Sequence, residues 1–254
     1  MSASESPWFL FRDHRPDAAL RLFCFPWAGV GASVYHSWQR ALAPAVDVLG
    51  IQLPGRETRL KEPPFSSLEP LVAGLVPALV NELDQRPFAF LGYSLGALVA
   101  FETARELRRL GAASPAALFL CAKPAPHRPK LHSLPEDPTD EALLDWIREV
   151  YAPPEDAWRV PELMRIMLPI LRADLSVFDR YVHREEPPLD VPIHAFGGET
   201  DHATPVSRLR AWQELTTAEF RARLFPGGHF FVLRHEPALQ RAVGRAISRL
   251  LIPS

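Results

Sequence analysis

Pro87-Phe-Ala-Phe-Leu-Gly-Tyr-Ser-Leu-Gly-Ala-Leu-Val-Ala-Phe101 is the stretch whose reading decides the fold of this chain. Phe88 to Leu91 is a short apolar run with the length and aromatic content of a buried strand. Gly92-Tyr-Ser-Leu-Gly96 follows, and then an apolar segment of good helix formers that reaches Leu110. Strand, G-x-S-x-G and helix in that order are the setting of a nucleophile elbow, a tight turn that lifts a serine above a parallel sheet. Such a turn strains the serine backbone and leaves no room beside it. Gly92 and Gly96 have no Cβ and let strand and helix approach. The pentapeptide alone is frequent, and its position between strand and helix is what makes Ser94 the candidate nucleophile.

On either side of this stretch, strands and helices alternate. Trp8–Phe11 fits an edge strand and Asp13–Ala19 a turn. Arg21–Phe25 reads as a strand running into the glycine-bearing loop Pro26–Ser33, with a helix over Val34–Ala43. Val46–Leu53 is the next strand. Ser66 and Glu69 have capping-box spacing, which predicts a helix from about Leu68 to Leu83, kinked near Pro77. Gly111 closes the elbow helix, and Ala117–Cys121 is another strand. This rhythm predicts an α/β fold with a mostly parallel sheet covered on both faces.

At Lys123 the rhythm breaks. Lys123–Pro129 is proline-rich, and no strand follows until Val191. Two helices are expected between them. Asp140–Val150 carries Leu143, Leu144, Ile147 and Val150 on one face. Pro161–Tyr181 carries the stripe Leu163, Ile166, Met167, Ile170 and Leu171, with a break at Pro169. An insertion after a strand at the working edge of a sheet reads as a lid rather than as filler. The expected organisation is a core of residues 1–126 and 191–254 with a helical lid at 127–190. Alternation then resumes with a strand at Pro192–Phe196, a helix over Pro205–Leu215, a strand at Phe220–Phe225 and a last helix from Pro237 to Leu251.

A chain of 254 residues with 47% hydrophobic content can bury one large α/β domain. A net charge of -2 lacks the basic surplus of a nucleic-acid binder. The longest apolar stretch, Phe88–Phe101, is too short to span a membrane, and Met1–Pro7 lacks the pattern of a signal peptide. Cys24 and Cys121 fall inside strands and are expected as buried, reduced thiols. A cytoplasmic location, with no membrane or nucleic-acid partner, is the expectation. Gly29-Val-Gly31 lacks the third glycine and the acidic partner of a dinucleotide site. The nine histidines form no metal-binding motif, so neither cofactor nor metal is expected.

A serine hydroxyl needs a base within hydrogen-bond reach and a carboxylate that holds this base in the right tautomer. In an open α/β sheet both come from loops at the carboxyl ends of strands. Two strands after the elbow end suitably, one in Gly197-Gly-Glu-Thr-Asp201 and one in Pro226-Gly-Gly-His229. The order Ser94, Asp201, His229 is that of the α/β-hydrolases. Glu199 is the alternative acid, and His202 and His235 are the competing histidines. Two donors must also face the developing oxyanion. These are the backbone N–H of Leu95 and, from the loop after the early strand, that of Ala28, with Trp27 as its neighbouring alternative.

With these segments in view, the chain resembles the type II thioesterases that accompany polyketide synthases and non-ribosomal peptide synthetases. The resemblance runs from about Arg21 to Ile252. It is carried by Leu22–Gly29, Gln52-Leu-Pro-Gly-Arg-Glu57 with Arg59, the elbow, Pro161–Met164 with Leu168–Asp174, Gly197–Asp201, Ala211-Trp212 and Phe225–Phe231. It implies hydrolysis of acyl thioesters on the phosphopantetheine arm of an acyl or peptidyl carrier protein, a Ser94–Asp201–His229 triad, a mobile lid and a monomer. Tyr93 and Leu95 depart from the histidine and methionine common in the family's elbow. The residues alone also leave open a small-molecule carboxylesterase or lipase, or a non-catalytic binder of acyl groups or carriers. Arg56, Arg59 and Lys61, near the expected mouth, are candidates for docking an acidic carrier, with a structural role as the alternative.

Overall fold

The computed structural model describes residues 6–10, 15, 17–154 and 161–252. Seven strands form one sheet in the order β1-β3-β2-β4-β5-β6-β7. They are β1 (Phe9–Leu10), β2 (Leu20–Phe25), β3 (Val46–Ile51), β4 (Phe88–Tyr93), β5 (Leu118–Cys121), β6 (Ile193–Gly198) and β7 (Phe220–Phe225). β1 pairs antiparallel with β3, and the other pairings are parallel. The edge strand is shorter than the sequence implied. Phe11 and the first part of the turn expected from Asp13 lie outside the described residues.

Seven α-helices are described: α1 (His36–Ala41), α2 (Leu68–Glu82), α3 (Leu95–Arg109), α4 (Asp140–Tyr151), α5 (Pro161–Arg180), α6 (Val206–Arg210) and α7 (Val232–Leu250). β4 and β5 are buried at every position because both of their faces are covered. Phe23, Phe90 and Leu118 point toward Leu75, Leu98, Phe101 and Trp212 of the α2, α3 and post-α6 layer. Leu22, Ala89 and Phe119 point the other way, toward Trp38, Leu239, Val243 and Ile247 of α1 and α7. The strand period of two thus feeds two cores.

Several local expectations are corrected. Ser67, not Ser66, is the cap of α2, and its side chain makes no capping hydrogen bond, so the capping box does not form. α2 runs through Pro77 as one helix. α5 likewise runs through Pro169 without the expected break. A proline costs a helix one hydrogen bond, and here buried Met164 before it and Leu171 and Leu175 after it hold the turns in line. The buried stripe of α5 is shifted: Leu163 and Ile166 face solvent, while Met164, Ile170, Leu171 and Leu175 are buried. The first turns of the last helix begin at Val232, ahead of Pro237, with a kink at His235.

α4 and α5 form the insertion between β5 and β6, and they have a small core of their own: Leu143, Ile147, Met164, Leu171 and Leu175. The Thr139 side chain caps α4 by accepting from the Ala142 N–H at 3.2 Å. The return from α5 to β6 is fastened to α3. Arg105, Arg108 and Arg109 all pair with Glu186.

Candidate active site

Ser94 occupies the turn between β4 and α3 with φ 51° and ψ -112°, a strained conformation for a residue with a side chain. The Ser94 N–H donates to the Cys121 carbonyl at 2.8 Å and ties the turn to the neighbouring strand. Gly92 is obligatory here, since a Cβ at that position would meet the Ala97 Cα at 2.5 Å. The strain is therefore held from both sides. Tyr93 sends its hydroxyl to the His229 carbonyl, which fixes the loop after β7 against the elbow.

That loop places His229 Nε2 3.0 Å from Ser94 Oγ. His229 Nδ1 lies 3.0 Å from Asp201 Oδ2. A carboxylate only accepts, so Nδ1 carries the proton and Nε2 is left to accept from the serine hydroxyl. The other oxygen of Asp201 accepts from the N–H groups of Ala203 and Thr204 at 3.0 and 3.2 Å. Gly198 lets the two loops meet, because a Cβ there would press on the Gly228 backbone at 2.8 Å. Asp201 and His229 are buried, and Ser94 is half-buried. The alternatives separate clearly: Glu199 and His202 are exposed, and His235 sits at the kink of α7.

The loop after β2 is held by side chains from three directions. Gly29 N–H donates to Asp174 Oδ2 at 2.8 Å, Ala32 N–H to Gln52 Oε1 at 2.9 Å, and Ser33 N–H to Glu57 Oε2 at 3.3 Å. Trp27 and Ala28 of this loop line the cavity above Ser94 together with Leu95. Among the described residues, neither the Ala28 nor the Leu95 N–H donates to a protein acceptor.

Arg56 and Arg59 do not face a docking surface. Arg56 is 3% exposed and makes a bidentate pair with Asp174 of α5 at 2.6 and 2.8 Å. Arg59 is also buried, paired with Glu62, bonded to the Gln52 carbonyl and stacked on the Trp8 ring. Both are structural, and only Lys61 of the three is exposed.

Two lobes of cavity converge on Ser94 and His229. One, of about 320 Å³, has an apolar wall that includes Trp27, Leu95, Ile147, Met167, Leu171 and Leu233. The other, of about 390 Å³, runs under Pro124–His132 and past Val150 and Tyr181. Lys123, Tyr151 and Phe178 border both. Tyr151, the last residue of α4, packs its ring 4.7 Å from the His229 imidazole, and burial, with the Asp201 charge, pushes its phenol well above the ordinary range. Sequence reasoning missed Tyr151, Lys123, Phe178 and Asp174. The only signals were Lys123 at the point where the strand rhythm stops and Asp174 within a family-like segment.

A nucleophile turn after β4, a carboxylate after β6 and a histidine after β7 define an α/β-hydrolase. The sequence profile of the thioesterase domain matches residues 20–247, and the chain belongs to that family. It is 37% identical over 250 residues to the gramicidin S biosynthesis protein GrsT of Aneurinibacillus migulanus, covering 97% of this chain and 96% of that one. Among solved structures it is similar to the type II thioesterase BorB of the borrelidin cluster, with 35% identity and a TM-score of 0.87, covering 98% of this chain and all of that one. It is also similar to RedJ, a thioesterase of the prodiginine pathway in Streptomyces coelicolor, with 36% identity, a TM-score of 0.83 and 91% of each chain covered.

Proposed function

We propose that this chain is a discrete editing thioesterase that removes acyl groups from the phosphopantetheine arm of carrier proteins in polyketide or non-ribosomal peptide biosynthesis. The observation that carries the reading is the unbroken relay from Asp201 through His229 to Ser94 beneath an apolar cavity. GrsT takes part in gramicidin S biosynthesis, BorB is a type II thioesterase of the borrelidin biosynthetic cluster, and the similar structure ClbQ comes from an NRPS/PKS pathway.

In the proposed cycle, His229 takes the Ser94 proton as Oγ attacks the thioester carbonyl. Asp201 stabilises the imidazolium that forms. The tetrahedral oxygen is met by the N–H groups of Leu95 and Ala28. The intermediate collapses, the C–S bond breaks, and the pantetheine sulfur leaves with the proton held by His229, so that the acyl group stays on Ser94 and the imidazole is neutral again. The thiol's pKa of about 8.5 makes it a far better leaving group than an alcohol or amine. His229 next activates water, and the acid is released. Residues 127–190 act as the lid, the remainder as the core, and the enzyme works as a cytoplasmic monomer without cofactor or metal. Among the described residues no helix is long and apolar enough to cross a membrane.

The test is mass spectrometry of acyl-loaded carrier proteins incubated with the enzyme. The expected result is unloading that disappears in Ser94→Ala. Unloading by Ser94→Ala at the parent rate would overturn the triad. Rapid cleavage of simple oxygen esters with loaded carriers left intact would place the chain among carboxylesterases.

A further inference from the structure

Lys123 stands where the two lobes meet, and the proposed cycle does not use it. It is 6% exposed, and its backbone is pinned by the Trp212 indole N–H, which donates to the Lys123 carbonyl at 2.8 Å. Its Nζ lies 3.2 Å from the centroid of the Phe178 ring. Among the described residues no acceptor takes a hydrogen bond from this nitrogen, and Asp174, the acidic residue bordering the lobes, is committed to Arg56 and Gly29. An aromatic face returns only part of what burial of an ammonium costs. Burial, and then the charge of Lys130, push the amine well below its ordinary range. Lys130 Nζ approaches the same ring at 5.9 Å, a second amine in the neighbourhood. A buried amine that faces a reaction cavity and, among the described residues, has no counter-ion is complementary to an anion brought by the substrate, whose charge would favour the ammonium form.

We propose that Lys123 is a specificity residue that binds a carboxylate on the acyl chain, so that the preferred substrate is a carboxyacyl thioester, the half-thioester of a dicarboxylic acid. The inference rests on the thioesterase reading and names its substrate class. The thioester carbonyl has its own donors, and the phosphate of the pantetheine arm lies at the carrier end, away from the reacting bond. The acyl chain is the part of the substrate that remains beside Ser94, and an anionic group on it would supply the counter-ion that Lys123 does not have among the described residues.

The test is a ladder of carrier substrates: malonyl, succinyl and glutaryl against propionyl, butyryl and valeryl. At one length at least, kcat/KM for the carboxyacyl group should exceed that of its plain partner more than tenfold. In Lys123→Met, which keeps the length and the contact with Phe178, this ratio should fall at least tenfold. A ratio at or below one at every length overturns the proposal, as does a ratio that Lys123→Met leaves unchanged. Removing a desolvated amine should leave the melting temperature of Lys123→Met at or above that of the parent. Titration calorimetry of free succinate and glutarate against butyrate, on Ser94→Ala, reads the same selectivity without turnover. Selective binding that Lys123→Met abolishes, in an enzyme that unloads no carrier, would sink the thioesterase reading and keep this one. Unloading of plain chains without selectivity in either assay would do the reverse.

Discussion

The floor of the cavity and its roof are made by different means. On the floor, backbone geometry does most of the positioning. Ser94 is held by a strained turn and a bond to Cys121, and Asp201 by two peptide N–H groups. These contacts depend little on side-chain identity and resist rearrangement. The roof, α4 and α5, rests instead on side chains. It has a small apolar core, the buried Arg56–Asp174 pair and the arginine strap to Glu186. Side-chain joints can be exchanged without disturbing the elbow. The arrangement separates the groups placed for bond breaking from the joints that hold the cover above them.

The largest test of this division is on the floor. Asp201→Asn presents the wrong tautomer to His229 and should lower kcat by about ten-thousandfold, with the roof and substrate binding intact. A loss below tenfold, measured by single-turnover unloading, would assign the acid elsewhere. Next comes the joint between the regions. Asp174→Ala strands the Arg56 guanidinium in a buried site and frees the Gly29 N–H, which should cost about 3–5 kcal/mol in urea unfolding. Because Gly29 adjoins Ala28, kcat should fall as well. A variant that is destabilised but fully active would show that the roof does not set the loop after β2.

A smaller effect is expected within the roof. Tyr151→Ala removes the ring packed on His229 and should lower kcat/KM by about tenfold, while Tyr151→Phe stays close to the parent. Equal losses in both would assign the role to the hydroxyl. The mildest test is acidification. Glu186 is held at about 2 in the fold, with its arginine partners outweighing the cost of burial. An ordinary glutamate titrates near about 4.3. The strap therefore contributes fully above that value and is lost as pH falls toward 2. Its partial exposure keeps the contribution small. Glu186→Gln should melt slightly lower than the parent at pH 7, and the gap should close on acidification. A gap that stays constant with pH would exclude the ion pairs as its source.

The same contrast explains what the sequence disclosed. The elbow was legible because Gly92 and Gly96 are forced by local crowding, and a local constraint leaves a local pattern. Asp201 and His229 were legible because the parallel sheet brings strand ends to one edge, so order along the chain predicts neighbourhood. The strands of the sheet were legible from their apolar runs. For Arg56 the sequence does not choose between docking and a structural role, because its partner, Asp174, is far along the chain and no periodicity links them. Leu163 and Ile166 were placed on the buried stripe because periodicity finds an apolar face but not which edge of it meets a neighbour. Lys123 looks like the start of a proline-rich loop until the roof folds over it.

The two thiols have a consequence of another kind. Cys24 on β2 and Cys121 on β5 are fully buried in the same core, and burial raises both above the range in which thiolates form. The folded chain is therefore a silent background for alkylating reagents. A single cysteine put in place of Ile166, exposed on α5, would take a fluorophore alone. Such a labelled enzyme would report, molecule by molecule, on how the roof moves as a loaded carrier arrives and leaves.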